Sequence, residues 1–136
     1  IGESAKRGFE LFNTKGNCAA CHTGWNLTDH GFHDIGLPDD DIGRGKFLPL
    51  QSMKHAFKTP TLRDLTRRAP YMHDGSLADL NAVMDHYDKG GVVRPSLSAA
   101  RVMLRASATI RKVWSRSLSI RERSVCFMTA IISIRL

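Results

Sequence analysis

The sequence predicts an all-α fold with long loops, and three observations carry that prediction. One amphipathic run opens the chain, a second covers residues 76–89, and a glycine-punctuated stretch without periodicity lies between them. In "ESAKRGFELF" the apolar residues Ala5, Phe9 and Phe12 recur at spacings of four and three, and Gly16 follows as a stop. Residues 23–59 carry Gly24, Gly31, Gly36, Pro38, Gly43 and Gly45 and read as loop, with a turn of helix around "QSMKHAF". A loop of that length inside a compact domain is usually functional or wrapped around a cofactor. "TPTLRDL" brings Pro60 and Leu62 to a bend and starts a short helix. The best-defined helix is "SLADLNAVMDHYDKGG". Ser76 is placed to cap it, with Asp79 three residues on, and Gly90 and Gly91 end it. Leu77, Leu80, Val83, Met84 and Tyr87 form one apolar stripe along it.

A chain of 136 residues suits one domain with a core. Its net charge of +7 points to nucleic acid or an anionic surface, but the distribution removes that reading. Residues 1–98 hold twelve basic and twelve acidic side chains, whereas residues 99–136 hold eight basic ones and the single acid Glu122. No nucleic-acid partner is expected. No apolar run reaches transmembrane length, so no transmembrane segment is expected either. The chain divides at residue 98. Beyond it six Ser join the eight Arg or Lys with no Gly or Pro, and the apolar residues make no single stripe. Out-of-frame translation past a frameshift near residues 95–99 is the preferred reading of this tail, against a native basic tail for an acidic partner.

The chemistry begins at "CAACH", residues 18–22. Cys-x-x-Cys-His is the attachment signature of a c-type haem: Cys18 and Cys21 form thioethers, and His22 is held close enough to bind the iron from one face. A zinc site lacks its second pair of thiolates, and no thioredoxin-like strand pattern surrounds the motif. The third cysteine, Cys126, has no obvious partner, which argues against a disulfide scaffold. Haem attachment of this kind is periplasmic in bacteria. The chain begins at Ile1 without a leader and is therefore expected to be a fragment.

The sixth ligand is sought in "PYMHDGSLADLNAVMDHY", residues 70–87. At about 100° per residue, Met84 and Tyr87 lie on the buried stripe and His86 falls away from it, toward solvent. Met72 precedes the helix in a loop. Met72, Met84 and Tyr87 all survive this reading, and they imply different chemistry: thioether ligation raises the potential, whereas a tyrosinate stabilises ferric and higher states. His30 and His33 lack further metal partners and read as loop or haem-pocket residues. "DDDIGRG" lacks the spacing of an EF-hand loop.

The runs "GFELFNTKGNCAACHTGWNLTDHGFHDIGL", "DIGRG" and "FKTPTLRDLTRRAPYMHDGSLADLNAVMDHYDKGG" resemble, in that order, the C-terminal half of the bacterial dihaem cytochrome c peroxidase/MauG family. The resemblance covers about residues 6–95 and implies a cytochrome c-like haem domain. Its partners would be a missing N-terminal haem domain, where peroxide chemistry resides, and a protein or cytochrome redox partner. In the family the distal ligand of this haem lies fourteen residues after the His of the "PYMHDG"-type motif, which here is Tyr87 counted from His73. Tyr at that place is MauG-like; Met is peroxidase-like. The resemblance also implies that Arg63 lies near the haem propionates, and that a calcium ion takes backbone oxygens from Arg68 to Pro70. Arg68 stands where a Thr is common, and its cation weakens such a site. The expected function is electron transfer within an enzyme that uses hydrogen peroxide to oxidise a partner in the periplasm, this fragment being inactive alone. The alternative is a monohaem cytochrome c carrier.

Overall fold

The computed structural model describes residues 2–96. The tail at 99–136, Cys126 and the proposed boundary at residue 98 lie outside them. Within them the chain is not plainly all-α, and that expectation is corrected. The elements are α1 (Glu3–Asn13), α2 (Leu80–Lys89), four three-residue 3-10 turns and a two-stranded sheet. The strands β1 (Phe32–His33) and β2 (Phe57–Lys58) pair antiparallel, Phe32 opposite Lys58 and His33 opposite Phe57. Two-residue strands are too short to show alternation in a sequence, so the long aperiodic stretch concealed them. It also conceals a 3-10 turn at Arg44–Lys46, while the one at Gln51–Met53 falls where a helical turn was expected.

α1 ends as its sequence predicts: Gly16 N–H donates to the Leu11 carbonyl at 2.8 Å, closing the last turn. Its buried face is Ala5, Gly8 and Phe12, one stripe at helical spacing. Phe9, expected on that stripe, is 50% exposed. Phe12 packs with Leu27 and Leu62 in a small core, and Cys18, Ala19 and Leu65 lie against it. Three distant parts of the chain thus meet at the cysteine motif.

α2 starts later than predicted. Tyr71 and Leu77 bridge, with Tyr71 N–H donating to the Leu77 carbonyl at 2.7 Å, and Ser76 N–H is taken by Asp74 at 3.0 Å. Residues before Leu80 therefore stay out of the helix, and Asp79 rather than Ser76 caps it, accepting from Ala82 N–H at 2.8 Å. Gly90 ends the helix as expected.

A second set of contacts crosses from the region of residues 34–39 to the end of α2. Val92 N–H donates to the Gly36 carbonyl at 2.8 Å. The backbones approach so closely that a Cβ on Gly36 would lie 2.9 Å from Val92 N, and one on Gly91 2.8 Å from the Gly36 carbonyl. Both glycines also have positive φ, at 70° and 63°. Asp34, only 3% exposed, accepts from Gly36 N–H, Ser96 Oγ and the Arg94 guanidinium. Arg94 also donates to the carbonyls of Leu37 and Asp39. A buried carboxylate with this many donors is satisfied.

Candidate haem-binding site

The cysteine motif folds locally. Residues Cys18–Ala20 make a 3-10 turn, and His22 N–H donates back to the Cys18 carbonyl at 2.9 Å. That turn brings Cys18, Cys21 and His22 together in one short loop against Phe12. His22 Nδ1 lies 3.0 Å from the Leu27 carbonyl. A carbonyl only accepts, so Nδ1 carries the proton and Nε2 keeps the lone pair a metal needs. Burial lowers the His22 pKa, against the opposing pull of the Leu27 carbonyl, Asp29 and the Pro60 carbonyl, which favours the neutral ring.

Both thiols are held protonated. Burial pushes Cys18 up to about 12, and Cys21 is raised by burial and by the Asp29 carboxylate. Catalytic and redox Cys-x-x-Cys pairs show the opposite shift, because their chemistry needs a thiolate at neutral pH. These thiols lack that activation.

The loop after His22 is fastened to residues 59–63 by a ladder of bonds. Thr28 Oγ1 donates to the Thr59 carbonyl at 2.7 Å, Thr61 Oγ1 donates to the Asn26 carbonyl at 2.5 Å, and Thr59 N–H donates to the Gly31 carbonyl at 2.9 Å. Arg63 donates from both Nε and Nη2 to the Trp25 carbonyl, and its guanidinium lies 4.2 Å over the Trp25 ring. Arg68 donates to the carbonyls of Thr61 and Arg63. The Ala69–Pro70 peptide that follows is cis. Arg63 is thus tied to the loop that carries Leu27, a contact the sequence did not reveal.

Sequence reading also missed Asp29. Its carboxylate sits 2.6 Å from His33 Nε2 and accepts from Gly31 N–H at 2.8 Å, while its own N–H donates to the Cys21 carbonyl at 2.8 Å. Although burial pushes Asp29 up, the bonds from His33, Thr59 and Gly31 outweigh it and hold the carboxyl below its usual range. His33 therefore belongs to the wall of this loop, and the expectation that it lacks further metal-type partners is corrected: ligand atoms of Cys21, Asp29 and His33 lie within 4.8 Å of one another. His30 is exposed, and its N–H caps onto Thr28 Oγ1.

Of the three candidate sixth ligands, Met84 is buried at 9% exposure, Tyr87 is half-buried and Met72 lies in the loop before α2, also half-buried. The Tyr87 phenol has its pKa raised by burial, and then by the charges that Cys18 and Cys21 would carry. It therefore lies within electrostatic reach of both cysteines. His86 is not turned to solvent, contrary to expectation. Its Nε2 reaches the Ile35 carbonyl at 2.8 Å, and its ring meets that of Tyr87 edge-on at 5.5 Å. The helical wheel failed because a neighbouring loop, invisible in the stripe, covers that side of α2.

Comparison with known proteins adds to this geometry. No family model matches the chain. The methylamine utilization protein MauG of Methylorubrum extorquens is 61% identical over 101 residues, covering 72% of this chain and 29% of that protein. MauG of Methylophilus methylotrophus is 57% identical over 102 residues, with 72% and 30% covered. The chain belongs to the MauG/cytochrome c peroxidase family. More distant members include the cytochrome c551 peroxidase of Pseudomonas aeruginosa, 32% identical over 66% of this chain and 29% of its own length. A crystal structure of a MauG-like protein associated with microbial copper homeostasis superposes with a TM-score of 0.67 at 23% identity, covering 96% of this chain and 47% of that one, and so shares the fold. The chain spans about 30% of the length of the MauG relatives it matches.

Membership of the MauG/cytochrome c peroxidase family implies haem c as the cofactor. The residues present fit it: two unactivated thiols, an imidazole with Nε2 unprotonated, and a half-buried phenol within electrostatic reach of both cysteines. Among the described residues no helix is long and apolar enough to cross a membrane.

Proposed function

We propose that this chain is the electron-transfer haem domain of a MauG-like dihaem peroxidase, which acts with an N-terminal haem domain to oxidise a protein or cytochrome partner with hydrogen peroxide in the periplasm. What supports the reading is His22, held beside the Cys-x-x-Cys turn with its proton on Nδ1, together with a Tyr87 phenol that feels the charges of both cysteines. Cys18 and Cys21 would each add S–H across a haem vinyl group, the sulfur taking one carbon and the hydrogen the other. His22 Nε2 and the Tyr87 oxygen would hold the iron. Haem c would supply a one-electron redox centre, and with both of these residues holding the iron no position would be left for peroxide. Tyr87 must lose its proton to bind as tyrosinate. The raised pKa of the free phenol makes that loss unfavourable unless a cation takes the proton's place.

Arg63 would offer Nη1 to a propionate, in the role the resemblance implies, while Nε and Nη2 grip the Trp25 carbonyl. The same resemblance gives a calcium ion on the backbone oxygens of Arg68 and Pro70. The Arg68 guanidinium is engaged by the carbonyls of Thr61 and Arg63. Calcium depletion of the whole parent protein, followed by its peroxidase turnover, tests that part.

A monohaem electron carrier is the second reading, favoured by one observation: Met84 is the more buried of the two stripe residues. Redox titration of the haem-loaded chain separates the two. Tyr ligation gives a low potential and a ferric resting state, and a high potential typical of Met ligation would replace the first reading with the second.

A further inference from the structure

Two residues on α2 compete for the same direction. Met84 and Tyr87 are three positions apart, so their side chains leave the helix axis only about 60° from one another. Both are on the buried stripe, and a modest rotation of α2 would exchange them. Something must set that rotation. His86 Nε2 ties α2 to a distant segment: it donates to the Ile35 carbonyl at 2.8 Å across 51 positions of sequence. The carbonyl can only accept, so the proton is on Nε2. The same imidazole meets the Tyr87 ring edge-on at 5.5 Å with the planes 70° apart. Its anchor is rigid. Ile35 lies between Asp34, which is buried and held by Arg94 and Ser96, and Gly36, whose carbonyl is paired with Val92 N–H.

We propose that His86 is a positioning residue: by bonding the Ile35 carbonyl it fixes the rotation of α2 so that Tyr87, not Met84, is presented toward Cys18 and Cys21. The inference rests on Tyr87 being the ligand and adds the device that selects it. His86 touches neither cysteine in this scheme; it acts through the helix and through the Tyr87 ring.

The test uses the full haem-loaded chain with His86→Leu, His86→Gln and Tyr87→Phe, read by ferric absorption, reduction potential and hydrogen exchange of the α2 amides. His86→Leu should lose part or all of the tyrosine-ligated ferric spectrum, move the potential upward toward a Met-ligated value, and speed exchange at the C-terminal end of α2. His86→Gln keeps an N–H donor within reach of Ile35 and should retain most of the parent spectrum. A merely structural role would lower the melting temperature without changing which ligand the spectrum reports. Full loading of His86→Leu with the parent spectrum and potential would overturn the proposal. If His86→Leu fails to load haem, His86→Gln decides: retention of the tyrosine signature supports the proposal and its loss overturns it. A Tyr87→Phe spectrum identical to the parent's would instead remove the ligand reading, and this inference with it.

Discussion

The two sides of the site are built in different ways. On the His22 side the two hydrogen bonds that hold the residue, the backbone turn onto the Cys18 carbonyl and the Nδ1 bond to the Leu27 carbonyl, lie within five residues of it, with the Pro60 carbonyl acting on the ring from farther along the chain. On the Tyr87 side the fixing contacts span 51 to 62 residues, from His86 to Ile35 and from Arg94 and Ser96 to Asp34. Local contacts need only a short closed loop, whereas the distant ones require the chain between them to be ordered first. His22 is therefore placed mainly by a motif, and Tyr87 by the fold.

Changes on either side should break this contrast in a graded way. The largest effect belongs to the motif. Cys18→Ser with Cys21→Ser should abolish covalent haem altogether, seen as loss of the haem-stained band after denaturing electrophoresis of protein made in a periplasmic maturation host. Retention of that band would end the haem assignment.

Next comes the long-range clamp. Gly36→Ala places a Cβ 2.9 Å from Val92 N at a φ of 70°, so both sterics and backbone oppose it. It should destabilise the fold by about 1–3 kcal/mol and disturb the Tyr87 signal more than the His22 one. Chemical denaturation with ferric absorption in parallel measures both. A smaller effect is expected at the helix start. Asp79→Ala removes the cap on Ala82 N–H and should cost about 1 kcal/mol while leaving the ferric spectrum unchanged, since a cap sets where α2 begins and not how it is rotated. A changed spectrum there would mean that the N-terminal end also orients Tyr87.

The same contrast explains what could be read in advance. Cys18, Cys21 and His22 stand in one five-residue signature, and the helix before them follows from a stripe and a stop. The start of α2 was misplaced because the Tyr71–Leu77 bridge outcompetes Ser76 as a cap, and a bridge across six residues leaves no periodic trace. His86 was assigned to solvent because a helical wheel knows nothing of Ile35. β1 and β2 were missed because each is two residues long and is held by its partner, not by its own pattern. Asp29 and the Trp25–Arg63 pair carried no motif at all. What the sequence conceals here is the set of contacts between segments far apart in the chain.

The ferric absorption spectrum of the haem-loaded chain, compared with that of Tyr87→Phe and Met84→Leu, addresses the pairing of His22 with Tyr87 directly. Tyr87→Phe should change the spectrum and open the iron to added small ligands such as cyanide, while Met84→Leu and Met72→Leu leave it as it was. An unchanged spectrum in Tyr87→Phe, with the iron opened by Met84→Leu instead, would contradict that pairing and make the chain a Met-ligated electron carrier.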